Sequence, residues 1–138
     1  MPTTVLLSVK PRFADAILDG AKKFEFRRAL FRDPDVRRVV LYASSPVQRV
    51  VGEFTIHEIV SMDLESLWEH TETDAGIEKA YFDEYFAGLD SGFAVAVGKT
   101  RRYPEPLDLD RAFGIQHPPQ SFRYLRDEAH ENRLAAVE

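Results

Sequence analysis

Residues 20–28 read Gly-Ala-Lys-Lys-Phe-Glu-Phe-Arg-Arg, and they predict a helix end followed by a strand. Glycine at this place can adopt the left-handed conformation that closes a helix. Beyond it, apolar and charged side chains alternate with the period of two that a strand imposes: Phe24 and Phe26 face one way, and Lys23, Glu25 and Arg27 face the other. We therefore predict a half-buried strand with a charged face. This basic turn and strand is the first candidate for a functional surface.

The residues before Gly20 predict a strand and then a helix. Residues 5–8 are a short run of valine, leucine and serine that is typical of a strand. Pro11 suits the first turn of a helix, and apolar residues then recur at three- and four-residue spacing up to the glycine: Phe13, Ala14, Ile17 and Leu18. A strand, a helix and a glycine stop therefore precede the charged strand.

A hairpin is predicted after the charged strand. The Asp-Pro-Asp sequence at residues 33–35 breaks the chain, and a strand resumes over residues 36–44. It ends at the turn-forming sequence Ser44-Ser45-Pro46, and the return strand covers residues 49–59. Gly52 lies inside that strand and indicates a bulge or a close backbone approach, which bends a sheet. A closed or strongly curved sheet is the expected result.

The remaining segments predict two helices, a strand, a short helical turn and a final strand. In chain order they cover residues 63–70, 74–87, 93–97 with an extension towards Tyr103, 108–113 and 121–125. Gly88 closes the second helix. We expect residues 1–125 to form one domain, followed by a tail over residues 126–138 that could be a frayed helix.

Charge is unevenly distributed along the chain. The 138 residues carry a formal net charge of −5, but residues 1–50 hold ten Lys or Arg and five Asp or Glu. Residues 51–90 hold Lys79 as their one basic residue against eleven acidic residues. Two interpretations fit: ordinary solvated surface whose charge fluctuates between short windows, or a basic face for a polyanion with an acidic segment elsewhere.

Composition excludes several classes of protein. The chain has no cysteine, which removes disulfides, thiolate catalysis and cysteine-containing zinc sites, and which fits a reducing cytoplasm. The four histidines show no metal-ligand spacing, and Walker, dinucleotide and Ser-His-Asp signatures are missing, so we predict no metal and no cofactor. The apolar run at residues 5–7 is too short for a signal peptide or a membrane span, so we expect a soluble, cytoplasmic protein without membrane contact. The oligomeric state is left open.

Residues 20–27 fit the pattern G-x-K-x-x-E-x-R, and here the sequence resembles the ASCH superfamily of PUA-like domains. Two further segments carry the resemblance. Residues 41–46 (Leu-Tyr-Ala-Ser-Ser-Pro) with residues 51–53 (Val-Gly-Glu) resemble the next hairpin of such proteins, and residues 118–125 (Pro-Pro-Gln-Ser-Phe-Arg-Tyr-Leu) resemble their closing strand. Because the three segments occur in order, the resemblance covers nearly the whole chain up to Leu125.

The resemblance implies an α+β fold, a small curved β-barrel of five to six strands with helices inserted between strands. It also implies a cleft at one end that receives an RNA base or a nucleotide. Lys22 could present a mobile ammonium to phosphate there, and Arg27 a planar donor fork. Glu25 could accept from an amino group of a base or hold Arg27 in place, and we expect it to stay ionised near neutral pH because two cations flank it. The alternative is an exposed strand carrying ordinary surface ion pairs.

Further residues are implied around the same cleft. Hydroxyl, amide and guanidinium groups at turns and strand ends could read a base edge: Ser44, Ser45, Gln120, Ser121 and Arg123. Tyr42 and Phe122 could stack on a base, although aromatic residues in strands are more often part of the core.

Three functions are consistent with these residues. The leading hypothesis is a PUA-like module that binds RNA or a modified nucleotide, with a regulatory role left open. The second is a hydrolase, because some ASCH proteins act on acetylcytidine with a lysine, a threonine and a glutamate, and others are ribonucleases. Lys22 matches that lysine, and Glu25 stands at the threonine position. Asp74 or Glu72 would correspond to the glutamate. Lys22 and Glu25 are thus the catalytic candidates. The third is a protein-interaction domain that uses the acidic helices of residues 63–87.

Overall fold

The computed structural model describes residues 3–125, so the predicted tail at residues 126–138 lies outside the described residues. The strands are β1 (Thr3–Val9), β2 (Phe24–Arg27), β3 (Val36–Ala43), β4 (Arg49–Asp63), β5 (Ser91–Leu107) and β6 (Phe122–Leu125). The helices are α1 (Pro11–Asp19), α2 (Leu64–Thr71), α3 (Lys79–Tyr85) and α4 (Leu109–Phe113), with a 3-10 helix at Glu72–Asp74. No helix in this part of the chain has the length and apolar character needed to cross a membrane.

All six strands form one mixed sheet in the order β2-β5-β4-β3-β1-β6. β1 and β3 are parallel, and the other neighbours are antiparallel. The predicted barrel was wrong, because the sheet is open and has β2 and β6 as its edges. Each edge strand has only four residues, so β2 and β6 offer few backbone groups that could pair with each other and close the sheet into a barrel.

The bulge or close backbone approach predicted at Gly52 is confirmed. The register of β4 against β5 shifts between Val50 and Gly52, as expected for a bulge. A Cβ atom at Gly52 would lie 2.7 Å from the Arg101 carbonyl oxygen and 2.8 Å from Leu18 of α1. Glycine is therefore required here, because the strand passes too close to its neighbours for any side chain.

The sheet is buried on both faces because alternate residues of its central strands enter different clusters. In β1, Val5 and Leu7 pack in a cluster that includes α1, whereas Leu6 packs in a second cluster that includes α4. A third cluster forms between β2, β5 and the helices α2 and α3, and its aromatic members include Phe26 and Phe82. This third cluster fixes α3 against β2.

Helix α1 follows its sequence prediction closely. Pro11 is its first residue, and Gly20 ends it with φ of 87°. The Gly20 N–H donates to the Ile17 carbonyl at 3.1 Å, which satisfies one of the carbonyl groups left free at a helix end. The chain then turns directly into β2, so the glycine sets where the charged strand begins.

The second predicted acidic helix, residues 74–87, is shorter than expected. Gly76 has φ of 69°, a left-handed conformation that an α-helix does not contain, and α3 begins only at Lys79. Gly76 therefore divides the segment into a 3-10 turn and a separate helix. The intervening loop packs over β2 and contributes to the site described below.

Glu53 joins three neighbouring strands through a buried network. Its Oε1 accepts hydrogen bonds from the Tyr103 hydroxyl at 2.9 Å and from Arg101 Nη2 at 2.8 Å. Its Oε2 lies 3.2 Å from Arg38 Nε. Because every partner is on β3 or β5, Glu53 links β4 to both neighbouring strands.

Candidate nucleotide-binding cleft

A cleft of about 240 Å³ opens between the start of α1, strand β2, helix α3 and the segment before β6. Its polar lining consists of Ser8, Lys10, Lys22, Glu25, Arg27 and Gln120. Its apolar and aromatic lining consists of Val9, Phe13, Phe26, Ile77, Tyr81 and Tyr85. A small concave site with an apolar wall and a few converging polar groups is typical of a ligand site.

Lys22 is a buried part of this lining, with only 1% of its surface exposed. Its Nζ donates a hydrogen bond of 2.7 Å to the Ala75 carbonyl. The same atom lies 4.8 Å from the centre of the Phe26 ring and 5.3 Å from that of Phe13. The prediction of a mobile ammonium was wrong, because the loop that contains Gly76 covers the lysine stem.

Glu25 and Arg27 lie beside each other on β2. Glu25 is 6% exposed, and its Oε2 is 3.7 Å from Arg27 Nη1. Arg27 Nη2 also donates a hydrogen bond to the Ser121 hydroxyl. The alternative of an exposed strand with surface ion pairs is therefore wrong, since both side chains are largely covered. Phe26 points to the third cluster, as the alternation predicted.

Burial changes the acid–base properties of this pair. It lowers the pKa of Lys22 from 10.5 to about 8, against the opposing effect of the Glu25 carboxylate. It raises the pKa of Glu25 above its ordinary value of 4.5, although Lys22 and Arg27 oppose the shift. The flanking cations lower the pKa of Glu25, as their charge requires, but loss of hydration is the larger effect and the net shift is upward. Both pKa values move towards neutrality, as is common at functional sites.

The aromatic wall of the cleft was missed as a functional feature. The rings of Tyr81 and Tyr85 are nearly parallel, with centroids 6.5 Å apart, and Phe13 meets Tyr81 edge-on at 5.3 Å. The Tyr85 hydroxyl donates to the Phe26 carbonyl at 3.1 Å, which ties α3 to β2. The four-residue spacing of the two tyrosines is typical of residues on a common helix face. Sequence alone could not distinguish a face that lines a cleft from one that enters the core.

The structure brings part of the predicted site together. Gln120 lines the cleft with Lys22, Glu25 and Arg27, and Ser121 is the hydrogen-bond partner of Arg27. The other predicted residues lie outside the cleft lining: Tyr42, Ser44, Ser45, Phe122 and Arg123.

Four of those outer residues have structural roles elsewhere in the protein. Tyr42 is 5% exposed and packs in the second core cluster, and Phe122 meets Phe31 edge-on at 5.8 Å. Ser44 and Ser45 form the turn between β3 and β4, where the Ser44 N–H donates to the Val9 carbonyl at 2.9 Å.

The acid suggested by the amidohydrolase resemblance does not reach the cleft lining. Glu72 and Asp74 form the ends of the 3-10 helix, and neither side chain lines the cleft. Asp74 contacts the site region only through its carbonyl, which accepts from the Lys23 N–H at 2.9 Å. Among residues 3–125, no three His, Asp or Glu side chains form a group that could hold a metal ion.

The architecture, an open six-stranded mixed sheet with helices between strands, is PUA-like. The chain belongs to the ASCH domain family, whose model matches residues 7–98. It is 32% identical over 126 residues to an ASCH domain-containing ribonuclease of Zymomonas mobilis subsp. mobilis, across 89% of this chain and 84% of that protein.

Two solved structures show the same architecture. The crystal structure of ASCH from Zymomonas mobilis superposes with a TM-score of 0.85 at 29% identity, and covers 96% of this chain and 94% of its own. The N-terminal domain of Staphylothermus marinus McrB superposes with a TM-score of 0.61 at 14% identity, across 96% of this chain and 93% of that one, and is similar in fold alone.

Proposed function

We propose that this protein binds RNA or a nucleotide, and that it holds one nucleobase in the cleft. The observation that carries the proposal is the buried Lys22–Glu25 pair in the lining of a small, aromatic-walled cleft. At about 240 Å³ the cleft is smaller than most sites for drug-sized molecules, and a single base is a ligand of suitable size.

The polar groups of the cleft suit the edge of a base. A protonated Lys22 has three N–H donors, of which Ala75 takes one, so two can reach a base carbonyl. Glu25 also lines the cleft, where its carboxylate can accept from an amino group of a base. Apolar and aromatic side chains, including Phe13 and Tyr81, supply the surface against which a planar ring can pack.

RNA is the favoured polymer for two reasons. A relative that is similar along most of its length carries the name ribonuclease. In addition, the exposed side chain of Lys10 lines the cleft and gives it a basic rim. Phosphate groups of a bound strand would release counterions from such a rim, so binding should weaken as salt is added. We further infer that residues 1–125 are the binding unit, and a chain ending at residue 125 should bind as the full chain does.

The test is calorimetric titration of the protein with the four ribonucleosides, their monophosphates and short single-stranded RNAs. We expect saturable binding of at least one nucleoside, and tighter binding of RNA that contains it. A thermal-shift screen gives a second readout, because a ligand at about 100 times its Kd adds roughly 2.7 kcal/mol to the free energy of unfolding. Absence of binding across the whole set would overturn the proposal.

Hydrolysis of RNA is the second candidate, and the lowered pKa of Lys22 is the observation that favours it. An uncharged Lys22 amine or an ionised Glu25 could take the proton of a ribose 2′-hydroxyl as its oxygen attacks phosphorus. Arg27 could stabilise the charge on the phosphoryl oxygens, and the leaving 5′-oxygen would take a proton to give a cyclic phosphate and a free 5′-hydroxyl.

Product analysis separates binding from hydrolysis. Short RNAs incubated with the protein should yield fragments that end in cyclic phosphate if the second candidate holds. Lys22→Met should abolish the products if Lys22 is the base, and Glu25→Gln should abolish them if Glu25 is the base. A change at a residue outside the cleft lining, Arg111→Gln, controls for contaminating nucleases, because all variants pass through the same purification. Intact RNA after prolonged incubation would exclude hydrolysis and leave the binding function as proposed.

A further inference from the structure

A second hollow adjoins the cleft, and we call it the side groove. It has a volume of about 430 Å³ and is lined by Arg12, Phe13, Gly76, Ile77, Glu78 and Tyr81. Phe13, Ile77 and Tyr81 line the cleft as well, so the two hollows are neighbours that share one wall. A ligand that fills the cleft can therefore extend into the side groove without leaving the protein surface.

Two cations are held at the shared wall. Lys10 Nζ lies 5.2 Å and the Arg12 guanidinium 5.4 Å from the centre of the Tyr81 ring. The Arg12 guanidinium also lies 4.8 Å from the centre of the Phe13 ring. Contact with the rings limits the motion of these side chains and leaves their N–H groups open to a ligand. Among residues 3–125, no carboxylate lies within ion-pair distance of either cation.

Negative and positive charges lie at different places along the side groove. Glu78 contributes a carboxylate to the lining, and it would repel a phosphate placed next to it. Lys10 lines the cleft and Arg12 lines the side groove, so their positive charge is greatest where the two hollows meet. A phosphate therefore fits best at this junction, and a sugar hydroxyl is the group that Glu78 can accept from.

We propose that the protein takes a single-stranded RNA segment of at least two nucleotides. One base lies in the cleft, the phosphate that links it to its neighbour lies against Lys10 and Arg12, and the neighbouring nucleotide lies in the side groove. This inference rests on the proposed function, because it needs a base in the cleft. It adds that an isolated nucleoside is an incomplete ligand. It also assigns Arg12 to the linking phosphate and not to the base.

The test compares a nucleoside with the dinucleoside monophosphates that contain it, by calorimetry on wild-type protein and Arg12→Gln. The matched control is Arg111→Gln, an equal change on an exposed helical arginine that lines neither hollow. We expect the dinucleoside monophosphate to bind the wild type about tenfold more tightly than the nucleoside. Arg12→Gln should bring the ratio of the two affinities close to one, and Arg111→Gln should leave this ratio as it is in the wild type.

Salt dependence gives a second readout of the same contact. Loss of one phosphate contact should reduce the slope of log affinity against log salt by about 0.7 for a single strand. Equal affinity for the nucleoside and the dinucleoside monophosphates would overturn the inference, as would an Arg12→Gln variant that behaves like wild type. These outcomes leave the proposed function standing, whereas failure of every nucleoside and RNA to bind would overturn the proposed function itself.

Discussion

Arg27 and Ser121 connect the two open edges of the sheet. Arg27 ends β2, Ser121 immediately precedes β6, and the arginine Nη2 donates a hydrogen bond to the serine hydroxyl. These strands stand at opposite ends of the strand order, so a side-chain contact bridges the gap that backbone pairing leaves open. The cleft lies beside this bridge, because Arg27 and Gln120 both belong to its lining.

Removing the bridge should loosen β6. Ser121→Ala deletes a hydrogen bond to a charged group, so we expect the free energy of unfolding to fall by about 1.5 kcal/mol or more. Amide hydrogen exchange in β6 should accelerate more than exchange in β4. The control is Ser61→Ala, which changes an exposed serine of β4 and should stay within about 0.5 kcal/mol of wild type. Equal effects of the two substitutions would contradict a bridging role.

Gly76 should tolerate alanine less well than Gly88 does. Both glycines have positive φ, 69° and 88°, so an alanine at either position adopts a left-handed conformation that costs roughly 1–2 kcal/mol. A Cβ atom at Gly76 would also lie 2.5 Å from Lys22 Cβ, whereas nothing lies within 4 Å of one at Gly88. We therefore expect Gly76→Ala to be less stable than Gly88→Ala by about 1–3 kcal/mol in urea unfolding. Only Gly76→Ala should weaken nucleoside binding, and similar behaviour of the two variants would show that Lys22 is not confined as described.

The stability of the protein should rise with pH above pH 8 because of Lys22. Its pKa is lowered from 10.5 to about 8 on folding, so between these values the unfolded chain binds the extra proton. The free energy of unfolding therefore increases with pH in this window, by at most about 1.4 kcal/mol per pH unit from this group. Urea unfolding at pH 8 and pH 9.5 should show the increase in wild type and a smaller one in Lys22→Met. Identical pH slopes for the two proteins would contradict the lowered pKa.

Glu25 should be the group that supports the charge of Lys22. The Glu25 carboxylate raises the pKa of Lys22 and partly offsets the effect of burial. Glu25→Gln keeps the shape of the side chain and removes its charge, so the pKa of Lys22 should fall below about 8. An NMR titration of the Lys22 side-chain carbons measures this directly, with Glu58→Gln on the exposed part of β4 as the control. A Lys22 pKa that stays unchanged or rises in Glu25→Gln would show that the two groups do not interact.

Local sequence signals predicted much of the fold. Pro11, the apolar spacing after it and Gly20 located α1, and the alternation around Phe26 gave the faces of β2 correctly. The lengths of β4 and β5 were underestimated because these strands extend each other through distant pairing, such as Asp63 with Ser91. The barrel prediction failed for a related reason: a bulge at Gly52 shows that a sheet bends, but not which strands become its edges.

The sequence identified several residues of the candidate site but did not reveal that they are buried. The motif identified Lys22, Glu25 and Arg27, yet a charged strand of this kind is equally compatible with an exposed surface. What buries Lys22 is the Ala75 carbonyl and Gly76, which lie about fifty residues further along the chain. No local pattern reveals that contact, so neither the depth of the lysine nor its altered pKa could be inferred from the sequence.

Titration of a nucleobase ligand into Lys22→Met and Lys23→Met tests the central claim most directly. The two lysines are adjacent in sequence, but Lys22 is buried in the cleft lining and Lys23 is exposed outside it. Methionine keeps most of the packing in each case, and urea unfolding of both variants verifies that they remain folded. We predict that Lys22→Met binds the nucleoside at least tenfold more weakly than wild type, and that Lys23→Met binds it like wild type. Undiminished binding by a folded Lys22→Met would contradict the assignment of the cleft as the place where the base is held.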